Sequence, residues 1–107
     1  MRLPVLYQDE WLIAVHKPSG LVVHASEDAP LRDTVIRRLR SQTGRKVFPC
    51  HRLDRPTSGL LLFAFSGQLA RPVFEAFERR EIRKSYWVLC RGYLGEDQSE
   101  LDRPIDG

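Results

Sequence analysis

The residues whose types and spacing could do chemistry gather in one stretch, HRLDRPTSG at positions 51–59. A carboxylate, Asp54, stands between Arg52 and Arg55, and Pro56, Thr57, Ser58 and Gly59 follow. An aspartate in water has a pKa of about 3.9, so Asp54 is anionic at neutral pH unless buried. Burial would raise that value, and adjacent arginine charge would oppose the rise. An ionised carboxylate kept partly dry can attack a sugar carbon or hold a proton. The loop is built to be stiff: Pro56 fixes its own φ and biases Arg55 toward extended geometry. Thr57 and Ser58 can tie their hydroxyls to local backbone groups, and Gly59 permits a tight entry into the apolar run that follows. A stiff loop at a strand end is a good platform for a reactive group. The plainer alternative makes Asp54 a turn-former whose carboxylate only accepts backbone hydrogen bonds, with Arg52 and Arg55 as solvated charges. Composition and spacing by themselves favour that alternative.

The flanking elements must position this loop. Residues 4–7 (PVLY) and 11–16 (WLIAVH) read as short strands around a QDE turn. KPSG at 17–20 is a second turn in which Gly20 can take a positive φ, and LVVH at 21–24 reads as a third strand. The period of LRDTVIRRLRSQ predicts a helix over 31–42, with Leu31, Val35, Ile36 and Leu39 on one face. Pro30 suits its first turn and Gly44 its C-terminal cap. LLLFAF at 60–65 is apolar throughout, which predicts a central strand covered on both faces. Ser66 can cap a helix over about 67–80 with Leu69, Val73, Phe74 and Phe77 inward, and Pro72 should kink it or delay its start. Residues 82–94 alternate as a strand, with Tyr86, Val88 and Cys90 on one face and Trp87, Leu89, Arg91 and Tyr93 on the other. On spacing alone Tyr86 is a half-buried strand aromatic. The order of elements gives an α+β (mixed α/β) domain.

Composition narrows the functional classes. Apolar residues make up 42% of the 107, a globular value, and the net charge is +3. The arginines cluster, with Arg32, Arg37, Arg38, Arg40, Arg45 and Lys46 in one segment and Arg79, Arg80, Arg83 and Lys84 in another, which permits a phosphate-rich partner. His16, His24, His51, Cys50 and Cys90 show no metal-ligand spacing, so no metal is expected, and both cysteines are expected to be buried free thiols. No apolar run approaches the roughly 20 residues of a membrane span, and the N-terminus lacks the apolar core of a signal peptide. A cytoplasmic location follows as an expectation.

HRLDRPTSGLLLFA resembles the signature of the RluA-type pseudouridine synthases, H-R-L-D-x-x-T-S-G followed by aliphatics. Two further segments agree in the family's order: LYQDEWLIAVHKPSG at 6–20 is similar to its opening, and IRKSYWVLCRG at 82–92 to its K-x-Y segment. The proline after HRLDR, and a start without a separate RNA-binding domain, look most like the tRNA pseudouridine synthase C branch.

The resemblance implies a catalytic domain with a mostly antiparallel mixed sheet and flanking helices, converting uridine to pseudouridine in RNA, with tRNA the first expectation and rRNA the second. Asp54 matches the family's catalytic aspartate, and the resemblance implies attack at the ribose C1′. Tyr86 matches its active-site tyrosine, a stacking partner for the base that helps remove the C5 proton. Arg52 matches the arginine that fills the gap left by the flipped nucleotide, an exchange that offsets part of the unstacking cost. Arg55 joins it as an RNA-binding residue, and His51, Leu53, Thr57, Ser58 and Gly59 support the loop. An acylal-like adduct and a glycal route both satisfy the resemblance. Nothing is oxidised and no group is donated, so no cofactor is expected, and the full-length family implies a monomer. A downstream R-x-H-Q-x-R-like segment, whose arginine pairs with the aspartate in the family, has no counterpart in these 107 residues. Residues 1–107 are therefore expected to be a partial catalytic domain that is inactive alone. A non-catalytic RNA-binding module is the competing class, motivated by the basic helix. A carboxylate glycosidase is weaker, because a second acid is not evident in the loop.

Overall fold

The computed structural model describes residues 2–24, 33–93, 95, 98 and 100. It contains strands β1 (Val5–Gln8) and β2 (Leu12–Lys17), helix α1 (Val35–Thr43), strands β3 (Phe48–Pro49) and β4 (Gly59–Ala64), and helix α2 (Gly67–Glu78). The sheet order is β1-β2-β4-β3, and every strand pairing is antiparallel. This is the mixed α/β architecture with flanking helices that the element order predicts.

The central pair follows from the two apolar runs. β2 and β4 pair from Leu12 opposite Ala64 to Lys17 opposite Gly59. Successive side chains leave a strand on opposite faces. Ile13, Val15, Leu61 and Phe63 therefore meet Val35 and Leu39 of α1 in one core cluster. On the other face Leu12, Leu62 and Ala64 meet Cys50, Ala70, Val73 and Phe77. β4 is thus covered on both sides, as its uninterrupted apolar run requires.

The first hairpin turns one residue later than QDE suggests. The Asp9 carboxylate accepts hydrogen bonds from the N–H groups of Trp11 (2.8 Å) and Leu12 (2.7 Å), and the Tyr7 hydroxyl donates to it at 2.6 Å. These donors hold the Asp9 pKa below its ordinary value, the tyrosine contributing most.

Residues 21–24 do not form a third strand. Their backbone serves α1 instead: the carbonyls of Val22 and Val23 accept from the N–H groups of Val35 (2.9 Å) and Ile36 (3.1 Å). Those donors lack partners within a helix, so the segment acts as a cap, with a single parallel bridge between Val22 and Thr34. The Thr34 side chain accepts from the Arg37 N–H, so α1 starts at Val35 and not at 31. Pro30 and Leu31 lie outside the described residues. Gly44 closes the helix as expected, at φ 71°.

Ser66 caps α2, which runs from Gly67 through Pro72 without a delayed start. Its inward stripe is Ala70, Val73 and Phe77. Leu69 and Phe74, expected inward, are 38% and 47% exposed, because the small Ala70 sits closest to the sheet and leaves its larger neighbours at the flanks. The alternating segment 82–93 is not a strand: none of its described residues is paired, and Trp87 and Leu89 are fully exposed. A strand needs a neighbour to take its backbone groups, and the described residues offer this one none. Cys50 is buried and free as expected, whereas Cys90, on that segment, is free but exposed.

Candidate active site

The β2–β4 register sets Lys17 opposite Gly59, so the KPSG turn lies against the far end of the HRLDRPTSG loop. Lys17 has no exposed surface. Its Nζ donates to the carbonyl oxygens of Pro18 (3.0 Å), Leu21 (2.6 Å) and Arg55 (3.0 Å). An ammonium has three donors and here finds an acceptor for each. Burial draws the Lys17 pKa below its ordinary value, and the carbonyl oxygens hold the charge in place.

Three further bonds fasten the loops. The Gly20 N–H donates to the Arg55 carbonyl (2.7 Å), Arg55 Nε donates to the Gly20 carbonyl (3.0 Å), and the Ser19 hydroxyl donates to the Pro56 carbonyl (2.7 Å). Gly20 takes φ 93°, as a turn that closes this tightly requires. Spacing alone does not single out the lysine. Its one signal in the sequence is its place as the last residue of an apolar strand.

The loop is pinned at its other end as well. The Cys50 N–H donates to the Leu62 carbonyl at 3.0 Å, and His51 Nε2 accepts from the Leu62 N–H at 3.1 Å. The His51 ring stacks on Phe77, with centroids 4.4 Å apart. Burial lowers the His51 pKa, and the Lys84 charge lowers it further, so the imidazole stays neutral and able to accept. Leu53 is buried in the α1-side core.

Asp54 thus sits between two anchors, the buried Leu53 and the fastened Arg55. Its backbone carbonyl accepts from the Thr57 N–H at 3.0 Å and closes the turn. Its side chain is exposed, and no described residue makes a hydrogen bond or ion pair with the carboxylate. The turn is made by backbone, and the acid is not consumed in making it. Gly59 enters β4 at φ 136°, a conformation that disfavours a side chain.

The remaining predicted residues fall as follows. Arg52 is exposed on the same stretch, and Arg55 uses its guanidinium on Gly20. Thr57 and Ser58 make no side-chain hydrogen bond among the described residues; the hydroxyl that holds the loop is that of Ser19. Tyr86 is 55% exposed on the unpaired segment, and no hydrogen bond joins it to Asp54. Among the described residues no three His, Cys, Asp or Glu side chains cluster to hold a metal. No described helix is long and apolar enough to cross a membrane.

An antiparallel sheet flanked by helices, presenting an unengaged carboxylate on a braced loop, defines a class of mixed α/β domain with an acid free at its surface. Comparison narrows the class. Residues 11–107 match the RNA pseudouridylate synthase family, and the chain belongs to that family. It is 48% identical over 104 residues to tRNA pseudouridine synthase C of Haemophilus influenzae, covering 96% of this chain and 43% of that protein. The protein of the same name from Vibrio cholerae is 47% identical over 104 residues, covering 96% and 42%. Among solved structures, human RNA pseudouridylate synthase domain containing 4 superposes with a TM-score of 0.59 at 31% identity, covering 73% of this chain and 30% of that one. The chain therefore spans less than half the length of the curated relatives it matches.

Proposed function

We propose that residues 1–107 form the nucleophile-bearing part of a catalytic domain that isomerises uridine to pseudouridine in RNA, with tRNA as substrate. The observation that carries this reading is the Asp54 carboxylate, held on a loop braced by Lys17 and Arg55 yet engaged by no described residue. Identity of 48% to a protein named tRNA pseudouridine synthase C supports the tRNA assignment.

In this reading Asp54 attacks at the ribose C1′ and the bond from C1′ to N1 breaks. The freed uracil turns and C5 bonds to C1′, displacing the carboxylate. The C5 proton leaves toward Tyr86, and N1 gains a proton, so the product is an isomer and no cofactor enters. Arg52 occupies the space of the flipped nucleotide, and a guanidinium plane offsets part of the unstacking. The location is cytoplasmic, where tRNA is found.

Residues 1–107 by themselves do not turn over. Asp54 has no cationic partner among the described residues, and Tyr86, Trp87 and Leu89 stand on an unpaired segment. Tritium release from 5-tritiated uridine tRNA tests both statements. A full-length version carrying these residues releases tritium, and residues 1–107 alone do not. A full-length version that releases none from any tRNA would end the reading. Tyr86→Phe slows single turnover far more than it weakens tRNA binding; an unchanged single-turnover rate removes the tyrosine from the chemistry.

A further inference from the structure

Beside the loop runs a cleft of about 580 Å³, between residues 49–52 and the C-terminal part of α2. Arg52, Arg80, Lys84 and His24 line it together with the rings of Phe74 and Phe77, and Glu78 is the acid among them. Asp54 does not line it. The two aromatic rings differ in availability. Phe77 is already stacked on His51, whereas Phe74 is 47% exposed and makes no ring contact among the described residues. Arg80 and Lys84 form no ion pair among the described residues; the neighbouring pair is Arg79 with Glu81.

Arg80 carries a second signal in its backbone. The Arg80 N–H donates to the Phe77 carbonyl (3.1 Å) and the Glu81 N–H to the Ala76 carbonyl (2.9 Å), which closes α2 with a left-handed residue between them. That residue is Arg80, at φ 59°, and it is the one non-glycine with positive φ among the described residues. Glycine fills this position without the steric penalty of a Cβ. An arginine at this strained position, with its side chain at a cleft, points to use of the side chain.

The loop relates the cleft to the carboxylate. Arg52 and Asp54 are exposed on either side of the buried Leu53. Two residues of chain span at most about 7 Å, so the Arg52 and Asp54 backbones lie within one nucleotide step of an extended strand.

We propose that this cleft is a subsite for the unpaired nucleotide that neighbours the target uridine. Phe74 stacks on its base, and Arg80 and Lys84 take the adjoining phosphates. The subsite rests on the RNA reading given above. Stacking on an aromatic ring tolerates any base, so the cleft selects for single-stranded character and not for sequence.

The test is binding of fluorescein-labelled single-stranded oligouridine to residues 1–107, followed by anisotropy over a series of salt concentrations. Arg80→Gly relieves the left-handed backbone, so its melting midpoint stays level or rises. Its slope of log affinity against log salt becomes shallower by about 0.7, the value for one phosphate contact on a single strand. Phe74→Ala weakens binding about tenfold with the salt slope unchanged. If Phe74→Ala fails to fold, Phe74→Leu keeps apolar bulk and still loses the stacking face. Arg2→Ala, beside α1 and outside the cleft lining, serves as the control and leaves both readouts as they were. Absence of oligouridine binding overturns the subsite, as does a slope that becomes shallower in Arg2→Ala and not in Arg80→Gly. Binding requires no turnover, so failure here and failure of the isomerisation reading are separate results.

Discussion

Replacing Lys17 by methionine tests whether the loop is held as the geometry indicates. The substitution keeps the stem and removes an ammonium that donates to three carbonyl oxygens at 3.0, 2.6 and 3.0 Å. Hydrogen bonds to a charged group contribute about 1.5–3 kcal/mol each, together roughly 5–9 kcal/mol. Two effects reduce the loss. The variant no longer carries the several kcal/mol needed to hold a charge away from water. In addition the Arg55 carbonyl keeps its bond from the Gly20 N–H at 2.7 Å. A net loss of about 2–4 kcal/mol remains, because the other carbonyls are left without the donor that drew them together. Urea denaturation measures that loss. Native-state hydrogen exchange supplies the local readout: the amides of Gly20 and Thr57, which bond to Arg55 and Asp54, lose protection before the β2–β4 core does. A loss below about 0.5 kcal/mol, within the range of ordinary surface substitutions, with both amides still protected, would refute the brace.

Asp54→Asn should leave the melting midpoint unchanged, since no described residue bonds to that carboxylate; a lowered midpoint would mean that it serves the fold. His51 makes stability pH-dependent. Its folded pKa lies below the ordinary 6.5, so the unfolded chain takes up the proton first as pH falls. The stabilisation from neutral His51 is full above about pH 6.5 and is lost below it, toward the folded pKa. Urea midpoints therefore drop as pH falls below about 6.5, and His51→Gln, which keeps an acceptor for Leu62 without titrating there, flattens that part of the profile. Burial pushes the Cys50 thiol up to about 11, whereas Cys90 is exposed. An alkylating reagent at about pH 8 should label Cys90 quickly and Cys50 only after unfolding; equal rates would contradict the packing.

The parts of this chain legible in its sequence are those governed by local pattern. The apolar run at 60–65 makes a strand covered on both faces, and Ser66 and Gly44 mark helix ends, Ser66 through its side-chain oxygen and Gly44 through its left-handed backbone. What pattern did not reveal depends on distant groups. Lys17 falls by pattern in the KPSG turn, and its burial needs a carbonyl 38 residues away. Leu21 and Val23 are as apolar as strand residues and are buried, but the backbone of 22–23 is claimed by the open end of α1. The 82–94 segment has clear alternation, yet alternation specifies faces and not a partner. On α2 the largest side chains suggested the inward face, whereas packing against the sheet selected the stripe through the smallest, Ala70. For the site, the HRLDRPTSG stretch identified the acid, and only the structure showed that the turn leaves its carboxylate unused.

The most direct measurement of the central claim compares chemistry with binding in one variant. Asp54→Ala in a full-length version should bind the substrate tRNA with near-normal affinity and release no tritium from 5-tritiated uridine. Tritium release that survives Asp54→Ala would contradict the assignment of the braced carboxylate as the nucleophile.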